Sequence, residues 1–284
     1  MKKFVRSTLW VTVVLATIFS ARPTHAQNKS NKLSQLTFVA NQLSNDMSGY
    51  SVATNGALLP LSNSPFGAGQ APNSVAVVPS GRFVYVADVV PGGISAFRVD
   101  KFGAVSPLPG APFASETGTA FVTTDPTGHF LYALSCGENC SGTGSGDIQV
   151  FTIDQNTGAL APVVGSPFAA GQYPYSLAMN PTGTFAYVAN AGSGDVYTYS
   201  VNMQSGVLTQ FGSPVAAGTR PLSVAVDPLG LYVFAANTTS GECFSLHHKF
   251  RWFPGASGRI SLRCRSLCGG RHCIEEWQIC FGHC

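Results

Sequence analysis

Charged side chains are scarce in this chain of 284 residues: Asp, Glu, Lys and Arg together make up 10% of it. Residues 27–241 carry ten acids against six bases, whereas both terminal segments are net basic. This central body has no basic stripe that could neutralise phosphates, which argues against nucleic-acid binding. A hydrophobic content of 45% argues against disorder. With 31 Gly and 18 Pro, the composition favours short strands and tight turns over helices.

The common catalytic motifs are also missing. The chain has no Gly-x-Ser-x-Gly nucleophile turn, no phosphate-binding loop and no paired-carboxylate signature. These absences argue against an α/β-hydrolase nucleophile and against nucleotide chemistry. Any enzymatic site has to be assembled from residues that are scattered along the sequence.

Long apolar runs are absent except near the amino terminus, where Leu9 to Ala21 form a run of about 13 residues. This is shorter than the ~20 residues that cross a bilayer as a helix. Lys2, Lys3 and Arg6 precede the run, and small residues ending at Ala26 follow it. The pattern predicts a secretory signal peptide over residues 1–26. We therefore expect an exported protein, periplasmic or secreted, with no membrane span in the mature chain.

The central body is a repeat. A Pro-x-Gly turn occurs four times, and its glycines are spaced by 47, 55 and 47 residues. An independent mark of the Ser-Pro-Phe type keeps the same spacings. The first turn is Pro79-Ser80-Gly81, and the later copies begin at Pro126, Pro181 and Pro228. Two marks in one register indicate a repeated structural unit, with eight extra residues inserted between Leu134 and Asp147.

Each repeat contains alternating runs rich in β-branched and aromatic residues. In the first full copy these are residues 74–77, 83–87 and 94–99, and a short outer strand follows a turn. Four strands in about 47 residues predict one blade of a β-propeller. We assign residues 27–241 to an all-β, incomplete propeller of about four to five blades.

The repeats resemble the YVTN-type unit of the lactonase family, which includes 6-phosphogluconolactonase-like proteins. The resemblance rests on segments such as Tyr187-Val188-Ala189-Asn190 after Pro-Thr-Gly, and it covers residues 37–241. It implies a seven-bladed propeller and the hydrolysis of a sugar-acid lactone. The family's Pro-Arg-His and Asn-Glu marks are not matched: Pro174 is followed by Tyr175, and Asn190 by Ala191. A non-catalytic binding or scaffold propeller, acting on a protein partner, is therefore kept as the alternative, and a metal-dependent lactonase as a third.

Residues 242–284 depart from the pattern in the middle of a blade. This irregular tail holds six of the eight cysteines and four of the six histidines. Three interpretations compete: a frameshifted or misassembled gene end, a disulfide-stapled tail, and a zinc site. The abrupt break in the middle of a blade favours the first. The spacings fit no zinc motif, so we expect no metal. The residues concerned are Cys264, Cys268, Cys273, Cys280, Cys284, His272 and His283.

Ligands of propellers usually bind at one end of the central channel. That end is built by the loops that lead into the inner strands and by the loops that join second to third strands. We expect a ligand site there, for a lactone or sugar acid without a cofactor, using side chains from both sets of loops: Arg220, Tyr173, Tyr175, Asp88, Asn190 and Glu138. The inserted loop also contains Cys136 and Cys140, which are close enough in sequence to form a disulfide in an oxidising compartment.

Overall fold

The structure, a computed structural model, describes residues 35–137 and 144–238, together with the backbone of three further strands, Leu15–Thr17, Glu242–His247 and Ile260–Arg263. It contains five antiparallel sheets in chain order. Within each sheet, consecutive strands are neighbours, so the chain runs back and forth from an inner strand to an outer one. This arrangement confirms the predicted all-β fold of consecutive propeller blades.

Sheets 1 and 2 begin the series. Sheet 1 consists of β1 (Leu15–Thr17), β2 (Gln35–Asn41), β3 (Asp46–Val52) and β4 (Leu58–Pro60), with β5 (Phe66–Gly67) also paired to β3. Sheet 2 consists of β6 (Gln70–Val77), β7 (Phe83–Val90), β8 (Gly93–Val99) and β9 (Val105–Pro107). The three runs read from the first full repeat thus coincide with the three inner strands of sheet 2.

Sheets 3 to 5 repeat the pattern. Sheet 3 has β10 (Thr119–Thr124), β11 (Phe130–Ser135), β12 (Ser145–Ile153) and β13 (Leu160–Pro162), with β14 (Phe168–Gln172) paired to β12. Sheet 4 has β15 (Pro174–Met179), β16 (Phe185–Asn190), β17 (Asp195–Val201) and β18 (Leu208–Gln210), with β19 (Val215–Ala216) paired to β17. Sheet 5 has β20 (Pro221–Val226), β21 (Tyr232–Asn237), β22 (Glu242–His247) and β23 (Ile260–Arg263).

Both ends of this series differ from the sequence pattern. Strand β1 lies in the predicted signal peptide and pairs with residues 37–39, at the edge of sheet 1 that corresponds to the inner strands of the other sheets. A strand edge carries unpaired N–H and C=O groups, and any neighbouring extended segment satisfies them. At the other end, β22 and β23 continue sheet 5 into the tail. The other tail residues, and the rest of residues 1–26, lie outside the described part of the chain.

The core is divided into four layers, one between each pair of consecutive sheets. Successive residues of a strand point to opposite faces, so each strand serves two layers. On β7, Tyr85 and Ala87 pack toward sheet 3, whereas Val84 and Val86 pack toward sheet 1. Burial on both faces explains why these strands are almost continuously apolar.

Turns lock neighbouring sheets together. The Tyr85 hydroxyl of sheet 2 donates to the Gly158 carbonyl in a turn of sheet 3, at 2.8 Å. Gly158 has φ +78°, and an added Cβ would lie 2.6 Å from the Phe83 ring. Asp125 and Asp227 accept backbone N–H bonds within the Pro-x-Gly turns and so cap these turns.

The Gly158 contact leads to a stability prediction. Gly158→Ala should lower the free energy of unfolding by about 2–4 kcal/mol, because it adds a clash with Phe83 to the cost of a left-handed backbone. Gly56→Ala is the matched control, since Gly56 has φ +84° and no atom within 4 Å of an added Cβ. Gly56→Ala should lower the free energy of unfolding by only about 1 kcal/mol. Urea denaturation measures both, and equal losses would contradict the packing argument.

Candidate functional site

The loops expected to bind a ligand meet at one end of the sheets, which we call the mouth face. The Tyr173 N–H donates to the Gly144 carbonyl in the loop between the second and third strands of sheet 3. The Tyr173 carbonyl accepts from Ala191 in the corresponding loop of sheet 4, and the Arg220 carbonyl accepts from Thr238 of sheet 5. The loops that lead into the inner strands are therefore fastened to the loops that join second to third strands.

The residue that precedes each inner strand's first proline has a left-handed backbone. Its φ is +51° at Ala71, +51° at Tyr173 and +53° at Arg220. Sheet 3 has Gly118 at the same repeat position, with φ +78°. Residues with a Cβ rarely adopt this conformation, and they keep it only where the surrounding structure holds them. The side chains of Tyr173 and Arg220 are thus positioned by a restrained backbone.

Three of the predicted site residues come together at the mouth face. The rings of Tyr173 and Tyr175 lie 5.6 Å apart between centroids, with planes tilted by 52°. Burial raises the pKa of Tyr173, the neighbouring Tyr175 adds to the increase, and the positive charge of Arg220 opposes it. Arg220 itself is exposed. The cluster presents two aromatic faces beside an accessible cation.

Asp88 and Asn190, also predicted to contact a ligand, have a different role. Asp88 is buried and accepts bonds from the Gly69 N–H at 3.1 Å, the Ser95 N–H at 3.0 Å and the Ser95 hydroxyl at 2.6 Å. Burial raises the pKa of Asp88, and these bonds oppose the increase. Both oxygens are occupied by the protein, which is why we assign Asp88 to the framework.

Asn190 occupies the same position in sheet 4. Its side chain is fully buried, accepts from the Gly171 N–H at 3.2 Å and donates to Asp195 at 2.9 Å. We call this linkage the clamp: a buried Asn or Asp at or near the end of the second strand that holds the loop before the inner strand. Glycine is needed opposite it, since a Cβ on Gly69 or Gly171 would lie 2.5 Å from the clamp side chain.

Sheet 3 departs from the clamp at two positions. Ser135 stands where Asp88 and Asn190 stand, and its hydroxyl donates to the Thr117 carbonyl at 2.7 Å. Glu116 stands where the other loops have Gly69 and Gly171. The short Ser135 side chain leaves the space that a larger residue at position 116 needs. The two replacements are therefore sterically complementary.

These replacements leave Asp147 incompletely satisfied. Asp147 pairs across the strands with Ser135, as Asp195 pairs with Asn190. The Asn190 amide donates to Asp195, but serine has no amide to offer, and Asp147 Oδ1 is buried without a hydrogen-bond partner among the residues that the structure describes. Burial raises the pKa of Asp147 to about 6, and the charge of Glu116 adds to the increase. A carboxyl with such a pKa can exchange protons near neutral pH.

The sequence did not reveal that Glu116 and Asp147 are neighbours. They are separated by the inserted loop and belong to different segments of the repeat, so no local pairing signature exists. A signal was nevertheless present in the repeat register: Glu116 replaces a glycine, and Ser135 replaces Asn or Asp, in the same blade. When two departures from a repeat occur in the same blade, as Glu116 and Ser135 do, they indicate that the hydrogen bonds of that blade differ from those of its neighbours.

The inserted loop is only partly described. Cys136 is disulfide-bonded. Its predicted partner Cys140 and the candidate Glu138 lie outside the described residues, so the Cys136–Cys140 pairing stays a prediction. Within residues 35–137 and 144–238, no group of three or more His, Cys, Asp or Glu side chains could hold a metal ion. In that same part of the chain, no helix has the length and apolar character that a bilayer crossing requires.

Comparison with known proteins supports this assignment of the fold. Residues 101–226 match the lactonase family, described as a 7-bladed β-propeller. The resemblance that the repeats indicate is thereby confirmed. The matched segment includes sheets 3 and 4, and with them Glu116, Asp147, Tyr173 and Arg220. No curated protein matches the chain in sequence.

Solved structures show the same fold at low sequence identity. A candidate 6-phosphogluconolactonase of Bacteroides uniformis aligns with a TM-score of 0.66 and 18% identity, over 78% of this chain and 66% of its own. One of Bacteroides fragilis aligns with a TM-score of 0.62 and 18% identity, over 75% of this chain and 64% of its own. A protein from Lactobacillus plantarum aligns with a TM-score of 0.60 and 18% identity, over 76% and 64%. The chain thus spans slightly less than two thirds of the length of these structures.

The state of Asp147 leads to a prediction about stability and pH. A carboxyl with a raised pKa binds its proton more tightly when folded, so its contribution to stability falls as pH rises from about 4 to above 6. Asp147→Asn removes this loss. Relative to the parent protein, the variant should gain about 1 kcal/mol between pH 4 and pH 7, after allowing for solvent screening of a half-buried group. Urea denaturation at both pH values tests this, and a constant difference would contradict it.

Proposed function

We propose that this lactonase-type propeller binds and hydrolyses a sugar-acid lactone at the mouth face. The observation that carries the proposal is the cluster of Tyr173, Tyr175 and Arg220, which lies within the segment that matches the lactonase family. The two similar Bacteroides proteins are named for 6-phosphogluconolactone, which supports a lactone of this class.

The chemistry of the cluster suits such a ligand. A sugar acid presents C–H faces that pack on aromatic rings, hydroxyl groups that bond to phenols, and a carboxylate or lactone carbonyl that attracts a cation. Arg220 would hold the anionic group of the ligand and the negative charge that develops on the carbonyl oxygen. The restrained backbone at positions 173 and 220 keeps both side chains in place before the ligand arrives.

A non-catalytic binding propeller is the second candidate. It is favoured by the departure from the family's marks, since no arginine–histidine pair follows Pro72, Pro174 or Pro221. Such a protein would bind a sugar acid or a protein partner without turnover. Release of acid from glucono-1,5-lactone, followed at constant pH with the full-length chain, separates the two candidates: turnover above the spontaneous rate supports the lactonase, and binding without turnover supports the alternative.

The role of Arg220 can be tested directly. Arg220→Ala should weaken binding of gluconate about 10- to 100-fold, because a charge-assisted bond to a carboxylate contributes about 1.5–3 kcal/mol. Lys101→Ala is the matched control, since Lys101 is an exposed cation in the β8–β9 turn at the opposite end of sheet 2. Isothermal titration calorimetry measures both. Equal affinity in the parent, R220A and K101A proteins would remove Arg220 from the site.

Export is also proposed, on the strength of the amino-terminal pattern. Cleavage after Ala26 should give a protein beginning at Gln27 when the full-length gene is expressed in bacteria with an intact secretion pathway. Intact mass spectrometry of the periplasmic and cytoplasmic fractions checks this. A chain that keeps Met1 or its whole leader in both fractions would contradict it. An exported lactonase would meet unphosphorylated sugar lactones more readily than a cytosolic phosphorylated metabolite.

A further inference from the structure

Asn190, the clamp of sheet 4, holds the loop before β15 in only one of two orientations that its amide group can take. Its Oδ1 atom accepts the Gly171 N–H at 3.2 Å, and its Nδ2 atom donates to the Asp195 carboxylate at 2.9 Å. An amide has an acceptor end and a donor end of nearly the same shape, so shape alone does not select an orientation. The groups at the two ends of the side chain have to select it.

The opposite orientation is found in sheet 5. Asn237 stands where Asn190 stands, but its Nδ2 atom donates to the Ala217 carbonyl at 2.7 Å. Its Oδ1 atom is buried and has no hydrogen donor among the described residues. The residue that corresponds to Asp195 is Glu242, whose side chain lies outside the described part of the chain. The fold thus accommodates both orientations at this position, and only the orientation of sheet 4 presents an acceptor to a backbone N–H.

Asp195 selects the orientation found in sheet 4. A carboxylate only accepts hydrogen bonds, so it attracts the Nδ2 end of Asn190 and repels the Oδ1 end. The Ser193 hydroxyl also donates to Asp195, at 2.8 Å, and helps to hold the carboxylate in place. Sheet 1 contains the same pair, since the Asn41 amide donates to Asp46 at 2.6 Å.

Sheet 2 supports this interpretation from the other side. There the clamp is Asp88, whose two oxygens both accept hydrogen bonds, so no orientation has to be selected. The residue paired with Asp88 across the strands, where sheet 4 has Asp195, is Gly93. A carboxylate at that position would repel the one on Asp88. Sheets 1, 2 and 4 therefore combine an amide clamp with a carboxylate, and a carboxylate clamp with glycine.

The oriented amide fixes the segment that carries Tyr173. Gly171, which the clamp holds, lies two residues before Tyr173. Two backbone bonds continue the linkage: the Ala191 N–H donates to the Tyr173 carbonyl at 2.9 Å, and the Gly192 N–H donates to the Gln172 carbonyl at 3.0 Å. These three bonds hold the short segment in which Tyr173 keeps its left-handed backbone.

We propose that Asp195 is a positioning residue for ligand binding: by orienting the amide of Asn190, it holds Tyr173 in place for a sugar acid. This inference rests on the proposed function and deepens it, because it names the residue that keeps the aromatic cluster preorganised. Asp195 acts through Asn190 and does not have to touch the ligand. A preformed site spares the ligand the cost of ordering it, so loss of Asp195 should appear as weaker binding.

The test compares Asp195→Ala, Asp195→Asn and Asp46→Ala in the full-length chain by isothermal titration calorimetry with gluconate. D195A should weaken binding about 5- to 20-fold, because the Asn190 amide loses the charged acceptor that orients it. D195N keeps an acceptor oxygen at the same place and should bind within about threefold of the parent protein. D46A loses the same kind of bond in sheet 1, away from the tyrosines, and should also stay within about threefold.

Hydrogen exchange provides a readout that does not depend on the ligand. The Gly171 amide hydrogen, which is bonded to Asn190, should exchange at least about tenfold faster in D195A than in the parent, D195N or D46A. A general loss of stability would act on D195A and D46A alike, so the difference between them isolates the positioning effect.

A milder variant keeps the proposal testable if D195A folds poorly. Ser193→Ala removes only the exposed hydroxyl that helps to hold the carboxylate. S193A should weaken gluconate binding and speed Gly171 exchange in the same direction, each by about two- to threefold. Far-UV circular dichroism and a thermal melt establish which variants are folded.

The outcomes separate the two claims. Unchanged Gly171 exchange in D195A and S193A, or equal gluconate affinity in D195A and the parent, overturns the role of Asp195 and leaves the lactonase function standing. Absence of both gluconate binding and lactone turnover in the parent overturns the proposed function and, with it, the binding role. Faster Gly171 exchange and weaker binding in D195A, with recovery of both in D195N, support the assignment.

Discussion

The loops that lead into the inner strands of sheets 2 and 4 are held by one kind of interaction, a buried hydrogen bond to a side chain at or near the end of the second strand. In sheet 2 the Asp88 carboxylate receives the Gly69 N–H, and in sheet 4 the Asn190 amide oxygen receives the Gly171 N–H. Backbone bonds between loops, such as those that Tyr173 makes with Gly144 and Ala191, act together with these clamps to set where the following left-handed residue lies. Tyr173 and Arg220 inherit their positions from this framework. A buried polar group of this kind is costly to disrupt, because its partner is left unsatisfied.

Sheet 3 departs from this framework. It has Ser135 in place of the clamp residue and Glu116 in place of the glycine, and among the described residues Asp147 Oδ1 has no hydrogen donor. The inserted loop with its disulfide-bonded Cys136 belongs to the same blade. Tyr173, Tyr175 and Arg220 lie instead in the loops that lead into sheets 4 and 5, where the backbone keeps the regular repeat.

The sequence predicted the strands and turns well, because each copy of the repeat independently indicates the same strand and turn positions. Two marks with one spacing placed the turns, and alternation within each unit placed the strands, so that residues 83–87 and 94–99 are found in β7 and β8. The ligand site stays a prediction. Tyr173, Tyr175 and Arg220 lie close together, as their place in the loops suggested, but Asp88 and Asn190 have the same placement and serve as clamps. Loop position alone does not tell which way a side chain turns.

The sequence alone could not predict which residues of different loops lie next to each other. The pKa of Asp147 is raised by burial and, as a second cause, by the charge of Glu116, which comes from a separate loop, and this proximity depends on how sheets 2 and 3 meet. The continuation of sheet 5 through β22 was missed for a related reason. Backbone pairing along an edge needs only extended residues, so it proceeds where the pattern of side chains no longer resembles a blade.

The division of the core into four layers has a consequence for where local unfolding begins. Each sheet is stabilised by the layers on its two sides, so the array behaves as a chain of nearest-neighbour couplings. Among the residues whose side chains are described, sheets 3 and 4 have a packed layer on both faces, whereas sheet 5 shares a single layer with sheet 4. Fluctuations should therefore start in sheet 5 and decline toward the middle of the array. Amide hydrogens around Asp147 in β12 and around Tyr173 beside β15 should therefore belong to the slowly exchanging part of the molecule.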